Sequence, residues 1–95
     1  MIIDKEFESL KEELAAIEHE RWSHWQIYMH GKCVKNEDGS LTIPSHLVDK
    51  WKRQSETRFA RLTEREKDSD REQVEKYLPI LKNYVLKILR LKSAT

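Results

Sequence analysis

The sequence predicts a mainly α-helical small domain of three to four helices, with a short β-hairpin or ordered loop between the first and second. Three observations predict it. Apolar residues recur at intervals of three and four over two long stretches, residues 7–28 and 74–88. Only two glycines and two prolines interrupt 95 residues, which favours long helices with few turns. Between the apolar stretches, Asn36-Glu37-Asp38-Gly39 has the chemistry of a tight turn flanked by β-leaning residues. The length suits one domain, 1–95, with a modest core and no internal repeat.

The first helix is expected from Lys5 to about Met29, with Asp4 as its N-cap and Gly31 ending it. Phe7, Leu10, Leu14, Ile17, Trp25 and Tyr28 form its apolar stripe. Cys33-Val34-Lys35 and Leu41-Thr42-Ile43 are the two β-leaning pieces around the turn. Alone they are marginal and must lean on helices. Pro44-Ser45 opens a second helix to about Ser55, with Leu47, Val48 and Trp51 inward. Thr57 to Leu62 reads as a connection anchored by Phe59 and Leu62.

Two capping boxes follow, Thr63-x-x-Glu66 and Ser69-x-x-Glu72. They predict a short helical turn at 63–67 and a fresh helix from Ser69. Val74, Tyr77, Leu78, Leu81, Val85 and Ile88 make the inner face of that last helix. Pro79 lies inside it and is expected to kink or split it. Ile80, Leu86 and Leu89 widen the apolar arc beyond what one core needs. These three are the candidate interface of a homodimer formed through the C-terminal helix.

Bulk composition narrows the function. Eighteen basic and seventeen acidic residues nearly cancel, which argues against a dedicated nucleic-acid binder. The mean hydropathy of -0.82 is low, yet the apolar residues are periodic, so a lean fold is expected rather than disorder. One cysteine, Cys33, precludes an internal disulfide framework and points to a reducing cytosol. Met1-Ile2-Ile3 runs at once into Asp4 and Lys5, unlike a signal peptide, and no apolar run approaches the roughly 20 residues of a membrane span. The expected setting is cytoplasmic, with no membrane and no nucleic-acid partner.

The densest chemistry is Glu18 to Trp25, "EHERWSHW". It superficially resembles the zinc-protease pattern H-E-x-x-H. His19 and His24 are five apart, however, so they lie about 140° from each other on a helix and cannot share one zinc. No metal, no cofactor and no catalytic residue is expected. On the helical wheel Arg21 falls in the middle of the apolar arc, with Trp25 as core beside it. His19 and Trp22 lie on the flank. A buried guanidinium needs a partner, since stripping it of water costs several kcal/mol. Glu18, just beside it, is one candidate, and Asp68 and Asp70 at the start of the last helix are others, with a structural ion pair between Arg21 and Asp70 as the expectation. The functional reading uses His19, Arg21, Trp22, Trp51 and Arg71 to hold a small anionic ligand. Guanidinium forks match carboxylates and phosphates, and tryptophan faces suit purine rings.

"LAAIEHERWSHW" and, some forty residues later, "LTEREKDSDREQVEKYLPIL" together resemble the RyR domain, the repeat of ryanodine receptor channels. The same domain occurs singly in small bacterial and phage proteins. The family's "E-H-x-x-W" falls on Glu18, His19 and Trp22. Its "L-x-x-x-E-K-x-x-D-R" falls on Leu62, Glu66, Lys67, Asp70 and Arg71, and its "P-x-L" on Pro79 and Leu81. The likeness covers about residues 8–82, leaving 83–95 as a C-terminal helix extension. The family's glycine-tyrosine turn after the first helix is absent here. The resemblance implies a helical, non-enzymatic binding module, with a nucleotide-like small molecule near Trp22. It implies a sensing or sequestering role for such signals in conflict between bacteria and phages. The alternative is an interaction or oligomerisation module that uses the C-terminal helix and binds no small molecule.

Overall fold

The computed structural model describes residues 2–93. In order they form α1 (Ile2–Lys32), β1 (Val34–Lys35), β2 (Leu41–Thr42), α2 (Ser45–Glu56), a 3₁₀ turn at Phe59–Arg61, and α3 (Glu64–Ser93). The architecture is mainly α, with a two-stranded antiparallel hairpin between the first two helices.

Helix α1 is longer at both ends than capping chemistry suggests. Asp4 lies within its first turn, where a carboxylate favours the helix dipole without being the cap. Gly31 stays helical, because a glycine stops a helix by turning left-handed and only Gly39 does so here. The chain leaves the helix at Cys33, whose amide donates to His30 O at 3.2 Å and whose thiol donates to Met29 O at 3.2 Å.

The hairpin pairs Val34 with Thr42 and Lys35 with Leu41. Its loop turns on Gly39, at φ 88°, whose amide donates to Asn36 O at 3.1 Å. Ser40 donates its amide and its hydroxyl to Asp38 Oδ1, at 2.9 and 2.6 Å. These bonds hold the Asp38 carboxyl below its ordinary range. Asn36 Nδ2 reaches Ser40 Oγ and Thr42 Oγ1, so polar side chains rather than burial fix the loop.

Helix α2 buries Leu47 to 9% exposure. Val48, expected inward, is instead exposed. The Thr63 box forms as expected: Glu66 N donates to Thr63 Oγ1 at 3.2 Å, and Thr63 N donates to Glu66 Oε1 at 3.1 Å. The Ser69 box does not form. α3 runs unbroken through Ser69, because nothing between Lys67 and Ser69 breaks a helix that the first box has already started. Pro79 is carried inside α3 and does not split it. The lost hydrogen bond costs about 3 kcal/mol in a helix interior and must be met by packing.

α1 and α3 lie side by side and antiparallel. An ion pair joins Glu6 to Lys87 at 2.8 Å, the rings of Phe7 and Tyr84 meet at 5.4 Å, and Tyr77 donates its hydroxyl to Glu18. The half-buried residues of α3 along this seam are Gln73, Tyr77, Ile80, Tyr84, Ile88 and Leu91. Those of α1 are Glu6, Leu10, Leu14 and Ile17. Ile80, expected at a dimer surface, therefore serves the contact with α1. Val74, Leu78, Leu81 and Val85, expected as the core face, are exposed.

The result is flat and long, 63 × 35 × 17 Å. Its radius of gyration of 19.1 Å compares with about 12 Å for a compact domain of this length. The accessible surface is 8191 Å², where a compact chain of 11.4 kDa would show roughly 5,800 Å².

Two substitutions test the local reading. Gly39→Val should lower the opening free energy of the Asn36 amide by about 1–2 kcal/mol in hydrogen exchange, with Gly39→Asn costing less than half of that. An Asn36 amide equally protected in all three proteins would contradict the turn assignment. In denaturant titrations Thr63→Ala should cost about 1 kcal/mol and Ser69→Ala almost nothing. Equal losses would mean that Ser69 caps after all.

Candidate functional site

The residues singled out by sequence do not converge. Arg21 donates from Nε and Nη2 to Glu18 Oε2 at 3.2 and 3.0 Å. Both side chains are about half exposed, so the guanidinium keeps its water and needs no acid from another helix. The expected Arg21–Asp70 pair is not made. Trp22 is 58% exposed, and its ring lies nearly parallel to His19 at 6.1 Å. Trp25, expected in the core, is 42% exposed and meets Trp51 edge-on at 5.3 Å and Tyr28 at 5.8 Å. Arg71 binds Asp68 and Glu64 at 2.8 and 3.1 Å and lies 5.8 Å from the Phe59 ring centre. The bonds from Asp68 first, then Glu64, raise its already high pKa. His19 with Trp22, Trp51 with Trp25 and Arg71 with Phe59 are thus three separate neighbourhoods.

One polar cluster does join elements. Glu66 accepts from Arg53 at 2.9 Å and from Gln54, and it also caps Thr63. These donors, Arg53 foremost, lower its pKa from 4.5 to about 2. The cluster ties α2 to the start of α3, and its acceptors are already used, so it is a clasp rather than a ligand site. Among the described residues no three His, Cys, Asp or Glu side chains gather as a metal site would need. No helix among them is long and apolar enough to cross a membrane.

The feature that stands out is apolar. Val74, Leu78, Leu81 and Val85 follow at intervals of four, three and four, the spacing of a heptad seam. With Leu89 they are 37% to 54% exposed. This seam lies beside the inner one of Gln73, Tyr77, Ile80 and Tyr84, displaced by one residue, about 100° round the helix. A helix with two adjacent seams requires two neighbours, and α1 supplies only one.

α1 adds to the same side. Phe7 and Trp22, both exposed, lie ahead of its α3-facing stripe in the same rotational sense as Leu78 and Val85 lie ahead of theirs. Since the helices run in opposite directions, that shared sense brings both sets to one side of the pair. The cross-links agree: Tyr77–Glu18 lies toward this side of the seam and Glu6–Lys87 toward the other. Two shallow grooves mark the helices. One, of about 430 Å³, is lined by Phe7, Leu10, Lys11, Leu14, Ala15 and Glu18. The other, of about 620 Å³, is lined by Glu75, Leu78, Pro79, Leu81, Lys82 and Val85. Leu86 and Leu89, named from sequence as interface residues, are exposed, and Leu89 extends the open seam. The four-three-four spacing was the available signal for this face.

No family model, curated protein or solved structure matches the chain, so its function has to be argued from its own residues.

The Glu66 clasp predicts an acid dependence. Folding lowers this pKa, so its contribution is complete above about pH 4.5 and is lost as pH falls toward 2. Stability measured by denaturant titration should fall across that window. Glu66→Gln should be less stable at pH 7 and show a shallower fall. Parallel pH profiles for the two proteins would refute the clasp.

Proposed function

We propose that the chain is a non-enzymatic interaction module, a helical hairpin that docks through one apolar face onto a helical protein surface. The observation that supports it is the open heptad seam of α3, Val74 to Val85, flanked by the exposed Phe7 of α1. Apolar area is worth roughly 25 cal/mol for each Å² removed from water, so covering such a face is strongly favourable. Apolar patches this continuous on a small protein mark partner sites. The reading needs no cofactor. A reducing cytosol is the setting proposed with it, since it suits the free thiol of Cys33.

A second reading keeps the nucleotide-like ligand that the RyR resemblance implies. Trp22 favours it, since one of its neighbours is His19 and its ring is open to a flat partner. Trp51 and Arg71 belong to other neighbourhoods, so such a site would be a stacking platform on one helix rather than an enclosed pocket. A thermal shift with adenine nucleotides that disappears in Trp22→Ala would carry this reading. No shift with any of them would end it.

The docking face has a direct test. Purified chain should either associate or, when dissociated by dilution, bind an apolar dye such as anilinonaphthalene sulfonate. Leu78→Glu/Leu81→Glu/Val85→Glu should do neither while keeping its helical circular dichroism. A wild-type chain that stays monomeric and binds no dye would contradict the reading.

A further inference from the structure

Resting on the docking reading, we infer that the occupant of the face is a second copy of this chain, and that two hairpins stack into a four-helix bundle. Three observations point to self-pairing rather than to a foreign helix.

The first is shape. The molecule is 17 Å in its thin direction, close to a single layer of helices, and only Leu47 is buried among the described residues. Stable domains are built from two packed layers around a core. A second hairpin supplies the missing layer and closes the helices into a bundle of a common kind.

The second is area. The surface exceeds that of a compact chain by roughly 2,400 Å². Two chains together carry about twice that surplus, which falls in the range of obligate dimer interfaces rather than the roughly 800 Å² per partner of a standard complex.

The third is charge. Residues 4–20 carry seven carboxylates and two lysines, while residues 77–93 carry four cations and no carboxylate. Within the chain these stretches already run side by side, joined by Glu6 and Lys87. A two-fold pairing that sets each α1 against the partner's α3 repeats the match across the new interface. Lys11 and Glu18 rim the α1 groove, and Lys82 and Glu75 rim the α3 groove, each groove with one charge of either sign. A face that is self-complementary in both apolarity and charge is the condition for an isologous dimer.

Sedimentation equilibrium of the full chain from about 1 to 100 µM tests this without any substitution. The expected mass at the upper end is twice 11.4 kDa. Leu78→Glu/Leu81→Glu/Val85→Glu should return the monomer mass, with helical circular dichroism retained because these side chains already face solvent in the single chain. A wild-type monomer that binds the apolar dye would overturn the second copy while leaving the docking face intact for another partner. A wild-type dimer unchanged by the three substitutions would overturn both, because the interface would then lie elsewhere.

Discussion

The antiparallel seam between α1 and α3 holds the two long elements together, and most other features follow from its geometry. A helix of 30 residues is stable mainly through the face it packs, not through its own hydrogen bonds. Here the contact combines few and varied interactions: the Phe7–Tyr84 rings, the Glu6–Lys87 pair and the Tyr77–Glu18 hydrogen bond. The Tyr84 hydroxyl is enclosed along the same seam with no hydrogen-bond partner among the described residues. An unsatisfied buried hydroxyl subtracts on the order of 1–3 kcal/mol from what the packing gains. One seam of this composition is a thin basis for so long a pair.

That constraint explains why the richer seam lies outside. Helix α3 places its mixed stripe, Gln73, Tyr77, Ile80 and Tyr84, against α1, and leaves its aliphatic stripe, Val74, Leu78, Leu81 and Val85, in water. The arrangement makes sense when α1 is the lesser of two neighbours. Tyr77 suits a contact that is half wet, because it packs a ring and keeps its hydroxyl on the Glu18 carboxylate. Aliphatic residues at heptad spacing suit a dry interface. The distal end of the hairpin is organised differently. There Glu66 gathers Arg53, Gln54 and Thr63, and Trp25 meets Trp51, so α2 is fixed without a large core.

Much of the architecture was legible in the residues. The hairpin followed from Asn36 to Gly39 because a left-handed glycine and side-chain acceptors act locally. The helical turn capped by Thr63 and Glu66 followed for the same reason, although not its unbroken run into α3. What failed needed information from beyond the segment. Ser69 has the composition of a cap, but a helix already nucleated at Glu64 passes through it. Gly31 has the chemistry of a stop, but a glycine can also stay helical at a cost of about 1 kcal/mol relative to alanine, and here it does. Arg21 was expected to be buried because periodicity marks a face without saying whether anything covers it. The broad apolar arc of α3 is divided differently from expectation for a related reason: Tyr77 and Ile88 face inward, but only the position of α1 decides that Ile80 joins them while Val74, Leu78, Leu81 and Val85 do not.

We infer that the open seam of α3 is covered when the protein is at work, and that the cover comes from another chain of the same sequence. The dependence of the thermal midpoint on protein concentration tests it most directly. A fold completed by association should melt several degrees higher at about 100 µM than at about 1 µM, since mass action favours the bundle. A cooperative transition with the same midpoint across that range would contradict the account, because the single flat hairpin would then be the whole folded unit.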